Sequence, residues 1–249
     1  MKIVTCYYNE KENYDHLIEL FLYSAKKQMP EIEVEVIRPE IDLTKAVTYS
    51  SPISNTLEEM IIHKSLTRKL DVWNTAVQNS KEDLILCDCD VIFLKDVSGV
   101  FKNTFDFAYT GRKHTKVPVN SGVVFVKNTA MAKKFFQHWT DTNDLMQSNK
   151  SFYTYWSSLC SGTNQPALYY LIKNKWITGA KLLELPCRVY NSCEADWNTL
   201  RKDTCILHLK ETLRNYLNGD KLKYMKRLNR NKKAFKIYDK LRQEYYEMR

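Results

Sequence analysis

Residues 84–93 read LILCDCDVIF, an apolar run interrupted by Asp88 and Asp90. Burying an unpaired ionised carboxylate is very costly, so each must meet a cation, a hydrogen-bond donor or water. Leu84, Ile85 and Leu86 before the pair, and Val91, Ile92, Phe93 and Leu94 after it, predict a largely buried strand. The two-residue period of a strand then sends Asp88 and Asp90 to the same side, with Cys87 and Cys89 opposite. Two hard oxygen ligands facing one way suit a divalent cation such as magnesium or manganese, with phosphate oxygens completing the shell. A strand ending in a polar turn would give the same letters, so D-x-D alone leaves the choice open.

Working outward, strand and helix patterns alternate. KIVTCYY (2–8) predicts a strand, YDHLIELFLYSAKKQ (14–28) an amphipathic helix and IEVEVIR (32–38) a second strand. Residues 56–79 predict a helix with Leu57, Met60, Ile61, Leu66, Leu70, Val72 and Trp73 as its apolar stripe, and DLILCDC (83–89) the third strand. This alternation favours an α/β domain with a mostly parallel sheet and helices on both sides. Ligands bind such sheets beyond the carboxyl ends of the strands, where Asp88, Asp90, Tyr7, Tyr8 and Asn9 would sit. Further on, FDFAYTG (105–111) and SGVVFVKN (121–128) read as strands and TAMAKKFFQHWTDT (129–142) as a helix. NQPALYYLIKN (164–174) reads as a shorter helix with Pro166 in its first turn, KLLELP and CILHLK as short strands, and the tail from about Gly219 as helix.

A chain of 249 residues, 44% hydrophobic, can bury one substantial core, and six glycines with six prolines leave little room for low-complexity linkers. The amino-terminal apolar stretch is too short for a signal peptide, and no window approaches a membrane span of about 18 apolar residues. Seven cysteines, without C-x-x-C pairs, read as reduced thiols in a cytoplasmic protein, a Cys187–Cys193 disulfide being the alternative. Residues 218–249 carry eleven Lys/Arg against four Asp/Glu, a surplus of seven, so only +2 of the net +9 belongs to residues 1–217. That asymmetry points to an anionic partner at the carboxy end, either an anionic membrane surface or DNA.

The order of these motifs resembles the nucleotide-sugar-dependent glycosyltransferases of the GT-A fold, over roughly residues 2–214. IVTCYYNE is similar to that family's first strand and nucleotide-binding loop, and LILCDCDVIFLKDV to its D-x-D strand. VPVNSGVVFVKNT resembles its Asn-Ser/Ala-Gly segment, NQPALYYLI its Gln-bearing helix, and LPCRVYNS and ILHLKETLR its last two elements. The resemblance implies a single GT-A domain at 1–217, with a Rossmann-like central sheet, and a basic helical extension at 218–249. It also implies a nucleoside diphosphate sugar as donor, UDP-linked by preference, with Mn2+ (or Mg2+) held by Asp88, Asp90 and His208. The donor would meet Tyr7, Tyr8, Asn9, Asp88, Arg112, Asn120, Ser121 and Gly122. Gln165 would lie near the reacting sugar carbon, and Lys210 and Arg214 beside the leaving diphosphate. This chain has Glu211 where the family usually has glycine, and Asn164 where an aspartate is common.

The acceptor implied is a hydroxyl on a glycan, or on a modified DNA base as in some viral enzymes of this kind. Inversion needs a carboxylate base near the acceptor. The Gln165 helix offers none, which favours retention, with Asp196 the reserve base. Two other readings remain open: a nucleotidyltransferase, although residues 1–20 lack a glycine-rich phosphate loop, and a nucleic-acid- or membrane-binding protein on an inactive scaffold.

Overall fold

The computed structural model describes residues 1–7, 15–39, 69–113, 116–160, 163–193, 196–197, 200–209 and 231–249. Among them the strands are β1 (Lys2–Cys6), β2 (Glu33–Ile37), β3 (Leu84–Asp88), β4 (Val91–Phe93), β5 (Phe107–Gly111), β6 (Val119–Val126), β7 (Leu182–Pro186) and β8 (Ile206–His208). The helices are α1 (Asp15–Gln28), α2 (residues 69–79), α3 (Ala130–Ser148), α4 (Lys150–Ser157), α5 (Asn164–Asn174), α6 (Cys187–Tyr190) and α7 (Lys232–Glu247).

Six strands form one sheet in the order β2-β1-β3-β6-β5-β7, while β4 and β8 form a separate two-stranded sheet. β1 pairs in parallel with β2 and β3, and β5 with β7; β6 runs antiparallel to both β3 and β5. Cys6 pairs with Asp88 and Thr110 with Asn120, so the carboxyl ends of β1, β3 and β5 share an edge with the amino end of β6. Alternation along the strands builds the layers. Val4, Leu84, Leu86, Val124 and Val126 face α2, α3 and α5 through Trp73, Phe135, Phe136, Trp139 and Leu168. Ile3, Ile85, Cys87, Val123 and Phe125 face α1 and β4 through Ile18, Phe21 and Phe93.

α1 is buried on two sides. Leu17 and Leu20 turn away from the main sheet and pack with Ile92, Leu207, Ala234, Tyr238 and Leu241, which docks α7 on the domain. Ion pairs Arg249–Glu19 and Lys27–Glu244 tie the same two helices together at the surface. Lys232, Lys233, Lys236, Lys240 and Arg242 stay exposed.

Two sequence expectations need correction. The apolar run 84–93 is not one strand: β3 ends at Asp88, Cys89 and Asp90 form a turn, and β4 enters the other sheet. The two carboxylates break the strand because they have somewhere else to go. Spacings of three and four in the tail predict an apolar stripe through Ala234, Ile237, Leu241 and Tyr245; in α7 the buried stripe runs through Ala234, Tyr238 and Leu241, and Ile237 and Tyr245 are only half-buried. Cys187 and Cys193 form no disulfide, in line with the reduced thiols expected, and both thiols donate to the main-chain carbonyl of Asn191. The helical expectations for 56–68 and 219–230, and the 217/218 boundary, lie outside the described residues.

Candidate active site

The end of β3 and the end of β8 meet. Val91 pairs with His208, and the amide of Leu209 donates to the carbonyl of Asp90 at 2.8 Å, so the imidazole is carried to the carboxylates by backbone pairing alone. His208 Nε2 lies 3.0 Å from Asp90 Oδ1 and 3.5 Å from Asp88 Oδ2. One ligating atom from each of the three residues lies within 4.8 Å of the others. Asp90 and His208 are buried and Asp88 half-buried.

The imidazole is oriented from behind. Asn191 Oδ1 lies 2.7 Å from His208 Nδ1 and can only accept, so Nδ1 carries the hydrogen and Nε2 faces the carboxylates. Asn191 Nδ2 in turn donates to Thr110 Oγ1 at 3.0 Å, whose hydroxyl donates to the Asn120 carbonyl at 2.9 Å. Burial alone would hold the His208 pKa down; the neighbouring Asp90 carboxylate more than reverses this and raises it to about 9.

Gly122 makes the room. A Cβ there would lie 2.5 Å from His208 Cε1, 2.8 Å from His208 Nδ1 and 2.9 Å from Asp88 Oδ2. The sheet is irregular at this point. Tyr109 pairs with Val124 but the next residue, Thr110, pairs with Asn120, so Ser121, Gly122 and Val123 are extra residues on β6. Asn120 holds the bulge: its Oδ1 accepts from the Gly122 amide at 2.9 Å and its Nδ2 reaches Cys193 Sγ at 3.2 Å.

Lys69, on α2, completes the cluster. Its ammonium donates to Asp88 Oδ1 at 2.6 Å and sits 4.4 Å over the Trp73 ring, so a nearly buried cation is matched by a carboxylate and an aromatic face.

Of the residues expected from sequence, Asp88, Asp90, His208, Asn120 and Gly122 converge here. Ser121 is buried on the same bulge. Arg112 is half-buried and reaches the network through Cys193 Sγ at 3.1 Å. Asp196 is half-buried; burial pushes its carboxyl up, while Arg112 and Arg188 oppose this. Gln165, in the first turn of α5, donates to Cys160 Sγ at 3.1 Å. Tyr7 is corrected: its ring is in the core and its hydroxyl donates to Asp15 at 2.7 Å, so it presents no face to a base. Tyr8, Asn9, Lys210 and Arg214 lie outside the described residues. Sequence reasoning missed Lys69, Thr110, Asn191 and Cys193. Of these, Asn191 and Cys193 stand in or beside the quoted LPCRVYNS segment.

The donor set suits a divalent cation. Two carboxylates and one imidazole match a hard-to-borderline ion such as Mn2+ better than Mg2+, whose preference is for oxygen alone. Gly122, with no Cβ, lets His208 and Asp88 lie close against β6, so that the three ligand atoms converge.

Residues 56–225 match the sequence model of the nucleotide-diphospho-sugar transferases. The chain belongs to that family. As a family member it is a glycosyltransferase, and its mixed sheet is the GT-A fold. No curated protein sequence matches it. Among solved structures it is similar to a glycosyltransferase involved in glycosylation of the major capsid of PBCV-1, with 13% identity over 87% of this chain and 98% of that one, TM-score 0.58. It is also similar to the glycosyltransferase GlyE of Streptococcus pneumoniae, with 15% identity over 92% of this chain and 63% of GlyE, TM-score 0.53. A third is the galactosyltransferase LgtC, in complex with donor and acceptor sugar analogues, with 12% identity over 84% of this chain and 86% of that one, TM-score 0.50. At such identities these neighbours speak for the fold alone.

Proposed function

We propose that this family member is a metal-dependent transferase that moves a sugar from a nucleoside diphosphate, UDP by preference, to an acceptor hydroxyl, with Asp88, Asp90 and His208 as the metal ligands. The observation that carries the reading is the convergence of those three side chains, oriented by Asn191 and given space by Gly122. The cation, when bound, neutralises charge on the diphosphate as the bond from the sugar carbon to the phosphate oxygen breaks.

The chain's own residues do the rest. Asp90 and His208 hold fixed positions through backbone pairing of β4 and β8, so the site is preorganised. Lys69 fixes the Asp88 carboxylate from the side of α2. Arg112, Asn120, Ser121 and Gly122 form the wall expected to face the donor, and Tyr8 and Asn9 its nucleoside end. Lys210, next in the chain after the anchored Leu209, and Arg214 are read as the cations that meet the leaving diphosphate. Gln165 is read as the residue near the reacting carbon; the first turn of α5 has no acidic residue to serve as a base beside it, which favours retention of configuration. Asp196, its carboxyl pushed up by burial, is the residue that would serve an inverting reaction.

The acceptor is read as a glycan, with a modified DNA base as the other acceptor class. Residues 218–249 are read as an extension of the catalytic domain whose basic face meets an anionic membrane or DNA. Seven cysteines outside any disulfide suit a reducing compartment such as the cytoplasm. The test is donor hydrolysis across a panel of nucleotide sugars, with and without Mn2+. Metal-dependent hydrolysis of one donor, lost in Asp90→Ala and His208→Ala, is expected. Hydrolysis that ignores both the metal and those substitutions would overturn the ligand assignment.

A further inference from the structure

Three aromatic rings are exposed among the described residues, and two of them, apart from Tyr246 on α7, belong to one row. Tyr155 on α4 is 59% exposed and Trp176, just beyond α5, is 55% exposed. A continuous series of ring contacts joins them. Tyr155 meets Trp156 at 5.1 Å between centroids, Trp156 meets Tyr170 at 5.9 Å, and Tyr170 meets Trp176 at 5.0 Å, all near edge-to-face. Tyr169 joins from the side, 6.1 Å from Trp156, with the Lys173 ammonium 5.8 Å from its ring centre. The outer rings are held in place. α5 ends at Lys175 in the left-handed conformation, φ 51°, and the Trp176 amide bonds back to the Leu171 carbonyl, which folds the indole against Tyr170. A non-glycine residue in that conformation is uncommon, and here its consequence is one exposed indole kept in register with a tyrosine row.

We propose that this α4–α5 aromatic row is a platform for the sugar rings of a glycan acceptor. The inference rests on the glycosyltransferase reading above, and deepens it by naming where the acceptor lies. A pyranose presents C–H groups on its faces and hydroxyls around its rim. Aromatic rings offer the matching flat, electron-rich surface, and polar side chains can meet the rim. The row has that composition: the exposed residues around it include Ser151, Thr154 and Lys173, and its large exposed side chains are aromatic. A protein-binding patch of this size would be expected to contain aliphatic anchors as well. The row also shares its helix with the residue read above as lying near the reacting sugar carbon. Gln165 stands one helical turn before Tyr169 on α5, and its amide is bonded to Cys160 in the link from α4.

The tryptophans make the test direct. Trp73, Trp139 and Trp197 are fully buried and Trp156 nearly so, which leaves Trp176 as the indole that acrylamide can reach. In the full-length protein, acrylamide quenching of tryptophan fluorescence is measured against mono- to trisaccharide pyranosides of glucose, galactose, mannose, N-acetylglucosamine and xylose. Sorbitol, a polyol without a ring, is the control. At least one oligosaccharide is expected to shield Trp176, with sorbitol inert. Trp176→Ala and Tyr155→Ala are expected to raise the acceptor KM about tenfold while donor hydrolysis is unchanged, and Trp176→Phe to restore most of the loss. No shielding by any pyranoside, or an unaltered acceptor KM in both alanine variants, would overturn the proposal. Shielding without donor hydrolysis in the wild type would leave the platform standing and remove the transferase reading instead.

Discussion

A single absent methyl group decides the geometry at the residue scale. Gly122 is not strained; it is flat against His208 and Asp88, and a Cβ would overlap both. Gly122→Ala should therefore push the imidazole off the carboxylates and weaken Mn2+ binding by about 10–100-fold, the usual effect of disturbing a ligand's support. Calorimetric titration with Mn2+ reads this directly, and an affinity equal to wild type would mean that the metal does not use His208. Protons should compete at the same atom. Without metal, Asp90 keeps His208 protonated up to about pH 9, so uptake of a cation through Nε2 must expel a proton. Mn2+ affinity is expected to rise between pH 7 and pH 9, with proton release visible as a dependence on buffer ionisation enthalpy. The stability of the metal-free protein should move the other way. A folded-state pKa above the ordinary histidine value contributes stability below about pH 6.5 that is lost as the pH passes through about 9. These residues were legible in part. Asp88, Asp90 and His208 stand out because their types bind metal at motif positions. Lys69 and Asn191 do not, since an ion pair across 19 residues and a hydrogen bond across 17 leave no local pattern.

Elements show where local pattern suffices and where it fails. NQPALYYLIKN was readable to the residue, as α5 spans Asn164–Asn174, because its apolar spacing and its early proline agree. The strand through the aspartates was not, because periodicity sees apolar letters on both sides and cannot see that they enter different sheets. The β6 bulge was invisible for the same reason: Val119–Val126 is buried throughout, so no alternation marks the three extra residues. In α7 the sequence stripe took Ile237, whereas the partner surface of α1 takes Tyr238, one position on. Stability tests that choice. Tyr238→Ala should cost about 3–5 kcal/mol, as for other large buried rings, and Ile237→Ala on the order of 1 kcal/mol. Among the described residues the Tyr238 hydroxyl has no hydrogen-bond partner, so Tyr238→Phe should leave stability unchanged or slightly raised. Urea midpoints for the three variants give the ranking; equal losses for Tyr238→Ala and Ile237→Ala would contradict the docking of α7 on α1.

At the scale of the whole molecule, charge and core are entangled in one helix. The net +9 is concentrated in residues 218–249, and α7 displays Lys232, Lys233, Lys236 and Lys240 on its outer side. The same helix puts Ala234, Tyr238 and Leu241 into the cluster with Leu17 and Leu20. Deleting the tail would therefore remove a partner surface and expose core together, and a loss of binding could not be assigned to either. Replacing the four lysines by glutamine separates them, since all four are exposed and their removal leaves the apolar stripe intact. Because that stripe is already buried, α7 cannot insert it into a bilayer, and any adhesion must be electrostatic and weakened by salt. The intact chain is expected to bind vesicles containing anionic lipid at low salt. The glutamine variant should lose about 1 kcal/mol of that binding for each lysine that reaches the surface, with its urea midpoint unchanged. Duplex DNA is the parallel measurement: loss of DNA binding with vesicle binding unaffected would assign the face to nucleic acid. If the intact chain binds neither, the lysines only solvate the outer side of a structural helix, and the anionic partner is withdrawn.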